Sequence, residues 1–360
     1  MREKRPLRFM IVGSGWRAMF YVRIAERYPE LFRLTAVVCR SREKEEMLRQ
    51  QGIFAVTTPE EGEKTRPDFV VVAVTKTSIC QVTEEWALRG FPVLCETPAG
   101  MNTEELGRLW QLKQERGARI QVAEQYHRYP VIRAGLEAVR QGKLGEPCGV
   151  RLSVAHDYHG VSLIRRMLGG GLEPVKMWGS RYRFSVTETD SRNGPVTDGR
   201  VTEKERTCIT MEFASGKAAF YDFSGVQYHS FIRSRHVNVQ GRDGEWNDTM
   251  LRYLGENYVP VEERLLPLLP ERYRELETRG LRERGAVWDP VLHLEEAQDE
   301  YAIASMMFDM GEYLDTGREV YPLAEALEDA YLWLLMERAV KRLGVFVSSE
   351  PMPWHGSESS

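Results

Sequence analysis

The sequence predicts an α/β protein whose N-terminal part is a doubly wound parallel sheet. Short apolar runs that suit buried strands alternate with helical patterns throughout residues 7–123, as expected for consecutive βα units. The first apolar run breaks at two glycines, and a helical pattern starts directly after them. A chain of 360 residues is long enough for two domains, so we expect a second domain to follow.

Each strand predicted for the first domain is an apolar run that is too short for most helices. The run at residues 69–74 is apolar throughout, which is typical of a parallel strand covered on both faces. Asn102 precedes the last helix, with Glu105 three residues later as in an N-cap pattern, and Gly117 ends it. The strands are predicted at residues 9–12, 34–39, 54–56, 69–74, 92–95 and 119–123, and the earlier helices at residues 17–28, 43–51 and 83–89.

The turn between the first strand and the first helix has the G-x-G-x-x-A pattern of a dinucleotide-binding turn. Gly13 would allow the tight turn, and Gly15 would allow a pyrophosphate to approach the backbone. Ala18 would allow the helix to pack closely on the strand. Arg17 in the first helical turn is disfavoured by the helix dipole unless an anion binds there. The alternative is an ordinary glycine-rich turn with a solvated arginine. The candidate cofactor-binding residues of this turn are Gly13, Ser14, Gly15, Trp16 and Arg17.

The end of the second strand indicates which dinucleotide is preferred. An NAD-binding domain usually carries a carboxylate there, but this chain has Arg40, Ser41 and Arg42 instead. Two guanidinium groups and a hydroxyl suit a 2′-phosphate, so the sequence weakly favours NADP over NAD. The alternative is that both arginines are simply solvated. Thr75 follows the strand at residues 69–74, at the sheet edge where such folds bind ligands, and is a further candidate for cofactor binding.

Composition excludes several classes of function. The net charge of −4 gives no indication of a nucleic-acid or membrane surface, and no apolar run is long enough to span a membrane. The N-terminus lacks a signal-type apolar segment. Five scattered cysteines without C-x-x-C spacing suit a reducing cytoplasm and do not indicate a metal site.

The chain resembles the Gfo/Idh/MocA family, named for glucose–fructose oxidoreductase and inositol dehydrogenase. This resemblance covers nearly the whole chain and implies a Rossmann domain followed by an α+β domain with an open, mostly antiparallel sheet. It also implies an NAD(P)-dependent oxidoreductase of sugars, polyols or related compounds that acts as an oligomer. The matching features are Gly13-Ser14-Gly15, Pro67-Asp68, residues 93–98 (Val-Leu-Cys-Glu-Thr-Pro), residues 142–145 (Gly-Lys-Leu-Gly) and the pattern from His159 to Gly169.

With this resemblance, we divide the chain into a Rossmann domain at residues 1–124, an α+β domain for substrate and oligomerisation at residues 125–347, and a polar tail at residues 348–360. Residues 246–290 are rich in Pro, Arg and Glu and are interpreted as an insertion. The second domain's predicted strands cover residues 149–154, 207–213, 218–223 and 236–240, and its helices cover residues 131–141, 161–168, 294–314 and 323–343.

The resemblance also indicates catalytic candidates. Family members usually carry Glu-Lys-Pro where this chain has Glu96-Thr97-Pro98, and their lysine takes part in proton transfer. Thr97 cannot act as a base at neutral pH without an activator, so another side chain must supply the proton or hydride chemistry has been lost. Glu96 is expected to help hold the cofactor end of the cleft.

His159 lies where the family's second-domain catalytic histidine is found, and its ordinary pKa suits a proton shuttle. Ser162 replaces the family's aspartate, which is a second departure. Tyr126 follows the last Rossmann strand and is a weaker candidate for the missing acid. The alternative for both His159 and Tyr126 is a packing role.

Together these features predict hydride transfer between a nicotinamide and a sugar-like or other small hydroxy or keto substrate. The alternative is a dinucleotide-binding sensor or scaffold that has lost catalysis with the family lysine. We expect a small-molecule substrate, no nucleic-acid or membrane partner, and a homo-oligomer formed through the C-terminal sheet.

Overall fold

The computed structural model describes residues 5–191, 194–276 and 296–356, and its N-terminal part is a six-stranded parallel sheet. The strand order is β3-β2-β1-β4-β5-β6, which reverses direction between β1 and β4. This confirms the predicted Rossmann sheet. The strands are β1 (Leu7–Val12), β2 (Phe32–Val38), β3 (Ala55–Val56), β4 (Phe69–Val72), β5 (Val93–Cys95) and β6 (Ile120–Val122).

Helices cover both faces of this sheet, and their ends follow the expected capping chemistry. The Asn102 side chain accepts a hydrogen bond from the backbone of Glu105 at 2.9 Å, and Gly117 ends that helix in a left-handed conformation. The helices of this part are α1 (Trp16–Arg27), α2 (Arg42–Gln50), α3 (Pro59–Glu63), α4 (Ile79–Leu88) and α5 (Thr103–Arg116), with 3₁₀ turns at Lys76–Ser78 and Tyr126–Arg128.

The second part contains a nine-stranded, mostly antiparallel sheet in the order β16-β15-β14-β13-β7-β12-β11-β8-β17, as the predicted fold class requires. Only β7 and β12 pair in parallel among its described strands. Its strands are β7 (Pro147–Ser153), β8 (Val175–Thr187), β11 (Val201–Phe213), β12 (Ala218–Phe223), β13 (His236–Gly241), β14 (Gly244–Asn247), β15 (Met250–Leu254), β16 (Pro260–Arg264) and β17 (Val347–Ser348), while β9 (Asp190–Ser191) and β10 (Gly194–Pro195) form a separate pair.

The helices of the second part are α6 (Pro130–Arg140), α7 (Asp157–Leu168), α8 (Glu296–Thr316) and α9 (Leu323–Lys341). Shorter 3₁₀ segments cover Gly225–Tyr228, Glu256–Tyr258 and Glu271–Leu276. Strand β8 has no counterpart among the predicted elements, although Tyr182, Phe184 and Val186 alternate with polar residues in its outer half. The predicted start of α8 at residue 294 lies outside the described residues.

Two hydrophobic cores join the first and second parts of the chain. Successive side chains of β1 point to opposite faces of the sheet and so enter different cores. Met10 and Val12 point into a core shared with the second sheet and α9, whereas Phe9 and Ile11 point into a core shared with α1 and α8. Helix α8 therefore packs against the Rossmann sheet although it lies more than a hundred residues beyond the predicted boundary at 124.

Two sequence interpretations need correction. The segment interpreted as an insertion forms β14, β15 and β16 of the second sheet, and Trp246 is completely buried there. Its residues 277–290 lie outside the described residues.

The tail expected from residue 348 is packed at its start, since Ser348 pairs with Lys176 of β8. Trp354 is also completely buried, and its indole donates to Glu328 at 2.8 Å. Residues 357–360 lie outside the described residues.

Candidate active site

The predicted site residues of the first part all lie at one edge of the parallel sheet. The glycine turn follows β1, the arginine pair follows β2, Thr75 follows β4, Glu96 and Thr97 follow β5, and Tyr126 follows β6. These are carboxyl ends of parallel strands, and the strand order reverses beside β1, where open α/β sheets bind ligands. The topology therefore brings the cofactor candidates to one edge.

The turn after β1 is shaped for close approach of a ligand to its backbone. Gly13 has φ +118°, and a Cβ there would lie 2.2 Å from the carbonyl oxygen of Ala73. Gly15 is the N-cap of α1 and makes no side-chain cap, and a Cβ there would meet no described atom within 4 Å. The first helical N–H groups, with no acidic residue in the first turn, thus present an anion-binding end. These residues fit a dinucleotide pyrophosphate.

Of the three residues after β2 that could hold a 2′-phosphate, two are arginines without an ion pair in the described ranges and the third, a serine, already has a structural role. Arg40, Ser41 and Arg42 are exposed, and neither guanidinium has a carboxylate partner among the described residues. The Ser41 hydroxyl, however, accepts the hydrogen bond of the Lys44 backbone at 3.3 Å and so serves as the N-cap of α2. Glu43 and Glu45 add negative charge to the same helical turn. The two arginines remain candidates for a 2′-phosphate, but Ser41 already has a structural role.

Next to this edge lies a cleft of about 490 Å³ between the two parts. Of the predicted residues it brings together Trp16, Arg17, Glu96, Thr97, Tyr126 and His159. The turn glycines, Thr75 and the arginine pair do not line it. Further lining residues that the sequence did not single out are Phe20, Gln125, Tyr129, His156, Tyr228, His229, Arg235 and Asp299.

Arg17 faces a carboxylate in this cleft. Its Nε lies 2.9 Å from Glu96 Oε1, and the Tyr21 hydroxyl donates to the same oxygen at 2.7 Å. Burial opposes the charge of Arg17, but Glu96 and then Asp299 outweigh it and raise the pKa of the guanidinium. The unfavourable position of Arg17 in the helix dipole is thus offset by Glu96, so a bound anion is not needed to explain it.

His159 is paired with a carboxylate that the sequence interpretation missed. It lies in the first turn of α7, is 6% exposed, and its Nδ1 is 2.6 Å from Glu124 Oε2. Glu124 is 1% exposed, and its other oxygen accepts from the backbone of Tyr126 at 2.8 Å. An ionised Glu124 carboxylate only accepts, so a neutral imidazole paired with it carries its proton on Nδ1 and its lone pair on Nε2. The imidazole is therefore oriented as a proton acceptor.

A second chain of hydrogen bonds runs beside this pair. The Tyr126 hydroxyl donates to the Tyr228 oxygen at 3.2 Å, and the Tyr228 hydroxyl donates to His156 Nδ1 at 2.5 Å. Burial, with smaller contributions from the neighbouring His159 and Lys76, lowers the pKa of His156 to about 2, so this imidazole stays neutral. Burial raises the pKa of Tyr126 well above its ordinary value. Tyr126 therefore keeps its proton, which makes it a poorer acid than predicted.

Thr97 occupies the wall between this cleft and a small adjoining cavity. Its backbone N–H donates to Glu96 Oε2 at 3.3 Å. The adjoining cavity is also lined by Lys76, whose Nζ lies 5.8 Å from the ring centre of Trp333. The charge of Lys76 acts on both His156 and Asp157. A lysine thus lies near the position of the absent family lysine, but it comes from the strand end after β4.

Glu124 and Lys76 each have a weak signal in the sequence. Both follow Rossmann strands at the carboxyl edge, the same property by which Thr75 and Tyr126 are selected. Tyr228 and Arg235 have none, because their approach to the cleft depends on how the second sheet folds back.

A glycine turn after β1, at a parallel-sheet edge that faces an α+β unit, is the arrangement found in dinucleotide-binding folds. Residues 7–124 match the model of the Gfo/Idh/MocA family, described as an oxidoreductase family with an NAD-binding Rossmann fold, which confirms the predicted resemblance. No curated protein matches the sequence significantly.

Solved structures are similar over almost the whole chain. One is an oxidoreductase from Agrobacterium radiobacter in complex with NAD⁺, L-tartaric acid and magnesium, with 16% identity, a TM-score of 0.69, and coverage of 95% of this chain and 98% of that chain. Another is myo-inositol 2-dehydrogenase from Lactobacillus plantarum, with 14% identity, a TM-score of 0.66, and coverage of 96% and 100%. A third is the WlbA dehydrogenase from Chromobacterium violaceum in complex with NADH and UDP-GlcNAcA, with 14% identity, a TM-score of 0.65, and 97% coverage of both chains. At these identities the likeness concerns the fold.

Two further features concern the described residues. No helix among them is long and apolar enough to cross a membrane. Within the same ranges, no group of three or more His, Cys, Asp or Glu side chains is arranged to hold a metal ion.

Proposed function

We propose that the protein is an NAD(P)-dependent oxidoreductase of a small hydroxy or keto compound, with His159 as its acid and base. The observation that carries this proposal is the Glu124–His159 pair, which lies in a cleft beside the dinucleotide-binding edge. Two of the similar solved proteins are complexes with NAD⁺ or NADH, and all three are described with a polyhydroxylated ligand or substrate, which supports the same class of reaction here.

The cofactor, when bound, would supply the nicotinamide carbon that accepts or donates the hydride. Gly13, Gly15 and the first turn of α1 would hold its pyrophosphate, because they offer backbone N–H groups and open space. Trp16 and Arg17 lie at the start of the same helix and line the cleft.

His159 would take the proton of a substrate hydroxyl through Nε2 as the carbon becomes a carbonyl, and would return it in the reverse direction. Glu124 would hold the ring in the required tautomer and stabilise the imidazolium that forms. Thr97, which has no proton acceptor of suitable basicity, would only position the substrate by a hydrogen bond.

The test combines cofactor titration with turnover. NADPH and NADH are titrated by fluorescence, and sugars, polyols, hydroxy acids and keto compounds are then assayed at saturating cofactor. We expect turnover by wild type, and a loss in kcat of about 10²–10⁴-fold for His159→Asn without loss of cofactor affinity. His236→Asn is the control, since His236 is exposed on the second sheet. Tight cofactor binding without turnover of any compound would contradict the proposal.

We further propose that the bound cofactor is NADP more readily than NAD. Arg40 and Arg42 have no carboxylate partner among the described residues and follow the strand end where the 2′ substituent is expected. Their exposure leaves both guanidinium groups accessible to a phosphate.

We also propose a homo-oligomer formed through the open face of the second sheet. Phe220 is 47% exposed and Trp178 is 41% exposed, and strand pairing places both side chains in one row across that face, with Thr210 between them. The matching face of a second copy is the occupant that such an isologous contact requires.

The five free cysteines suit a reducing compartment, so we infer a cytoplasmic location.

The second candidate function is a cofactor-binding sensor without catalysis. Thr97 replaces the family lysine, and Ser162, which replaces the family aspartate, is completely buried without a partner for its hydroxyl among the described residues. If Thr97→Lys created activity in an otherwise inert protein, this candidate would gain support. Abolition of a native activity by His159→Asn would exclude it.

A further inference from the structure

We propose that Arg235 binds a carboxylate of the substrate, so that the enzyme acts on a small hydroxy or keto acid in preference to a neutral polyol. This inference rests on the proposed function, because it assigns the substrate class of the same cleft. It depends on a residue of the second part that has no role in the oxidoreductase assignment.

Arg235 is a buried cation on the wall of the cleft. It is only 3% exposed, and it lines the cleft together with Tyr228 and His159. Its Nη1 is buried and has no hydrogen-bond partner among the described residues. A buried guanidinium with a free donor is costly, and such groups are normally paired or satisfied by a ligand. Arg235 is therefore a candidate binding group.

The local structure holds this guanidinium in place. Its Nε donates to the backbone oxygen of Gln227 at 3.3 Å, and its Cζ lies 4.8 Å from the ring centre of Tyr228. The Gln227 side chain in turn donates to the Ser234 carbonyl at 2.6 Å and to the Ser153 hydroxyl at 2.9 Å. These bonds tie the loop before β13 to β7. The side chain thus needs little reordering to bind a planar anion.

The charges of the cleft are distributed unevenly. Glu96 is paired with Arg17, and Asp299 acts on the same arginine and accepts from the Tyr129 hydroxyl. In contrast, Arg235 has no carboxylate within ion-pair distance in the part of the chain that the structure describes. Arg235 is therefore a cation of the cleft without an ion-pair partner among the described residues.

The position of Arg235 favours a substrate anion over the cofactor pyrophosphate. The pyrophosphate is expected at the turn after β1, whereas Arg235 comes from the second sheet, beside Tyr126 and Tyr228. Burial raises the pKa of both tyrosines, and the charge of Arg235 offsets part of this rise. Tyr126 also stacks on His159, with ring centres 4.6 Å apart. A carboxylate on Arg235 would thus place the adjacent carbons near the proposed base.

The experiment measures binding by the full-length protein saturated with oxidised cofactor, using matched acid and neutral probes. L-tartrate is compared with L-threitol, and D-gluconate with D-glucitol, by calorimetry. We expect the acids to bind more tightly, and Arg235→Gln to weaken acid binding by about tenfold to a hundredfold while leaving the neutral probes unchanged. Arg233→Gln is the control, because Arg233 lines a different hollow, on the open face of the second sheet.

Several outcomes overturn the inference. These are acid binding that is no tighter than neutral binding, absence of acid binding altogether, and an equal effect of Arg235→Gln and Arg233→Gln. If Arg235→Gln weakens the cofactor and not the acids, then Arg235 belongs to the cofactor site. Turnover of neutral polyols alone would support the proposed function and contradict this inference. Acid-selective binding without turnover would support this inference and contradict the proposed function.

Discussion

The chemistry of single side chains in this protein depends on the residues that lie next to them in the fold. The imidazole of His159 is oriented by its hydrogen bond with Glu124, whereas His156, only three residues earlier, is kept neutral mainly by burial. Arg17 is neutralised by Glu96, whereas Arg235 is not. Identical residue types in one cleft therefore have different roles.

The arginine pair after β2 allows a prediction about cofactor choice. We expect NADPH to bind more tightly than NADH, and Arg40→Ala with Arg42→Ala to weaken NADPH by about tenfold to a hundredfold while NADH changes little, since a charge-assisted hydrogen bond contributes about 1.5–3 kcal/mol. Fluorescence titration of both cofactors measures this. Arg33→Ala is the control, because Arg33 is exposed in β2 away from its carboxyl end. Equal binding of both cofactors by wild type would refute the preference.

Elements of the fold depend on contacts that bring distant segments together. Helix α6 passes so close to β14 that a Cβ on Gly135 would lie 2.2 Å from the indole of Trp246. That strand belongs to the segment whose composition resembles an insertion, yet its tryptophan is part of the main core. The segment is thus integral to the second sheet.

This contact predicts a clear difference between two glycine substitutions in helices. Gly135→Ala should lower the free energy of unfolding by about 1–3 kcal/mol, because the tightly packed indole cannot move away. Gly107→Ala in α5 should raise it by up to about 1 kcal/mol, since a Cβ there meets no described atom within 4 Å and alanine favours the helix. Denaturant unfolding compares the two. Similar effects of both would show that α6 and β14 are not tightly packed.

The whole molecule presents one broad open sheet face, on which Phe220 and Trp178 are exposed. Helices α7 and α9 cover the opposite face. We therefore expect the protein to be a homo-oligomer in solution, and Phe220→Glu to dissociate it, because a charge would be buried at the contact. Sedimentation velocity measures the state. Phe231→Glu is the control, since Phe231 is 82% exposed but lies in a loop. A monomeric wild type would disprove the expectation.

Stability of the whole molecule should also depend on pH. Burial lowers the pKa of His127 well below its ordinary value, and that of His156 to about 2. Below the unfolded pKa of about 6.5, the unfolded chain therefore binds protons that the folded chain does not, and stability is lost as pH falls. Asp157 opposes this in part, because burial raises its pKa.

We expect the free energy of unfolding to fall by about 2 kcal/mol for each of these histidines between about pH 7 and pH 5. Urea unfolding across this range measures the slope. His127→Leu should flatten it, whereas His236→Leu, at an exposed position, should not. An unchanged slope in His127→Leu would show that this histidine is protonated in the folded state.

The sequence alone determined the Rossmann sheet and predicted where a dinucleotide would bind. Both depend on local patterns, namely apolar runs such as residues 69–74 and the glycines Gly13 and Gly15, whose conformations are set by their near neighbours. His159 was also found, but only through a family resemblance.

Only the tertiary structure decided what surrounds His159 and the cofactor edge. Glu124 and Arg235 are separated from His159 by many residues along the chain, and α8 returns from the far end to pack on the first sheet. Such contacts form because buried polar and charged groups need partners, and the topology decides which residues come close enough to be those partners. A local sequence pattern does not contain that information. The proposed position of a bound dinucleotide is therefore apparent from the sequence, while the side chains that surround the proposed base are apparent only from the fold.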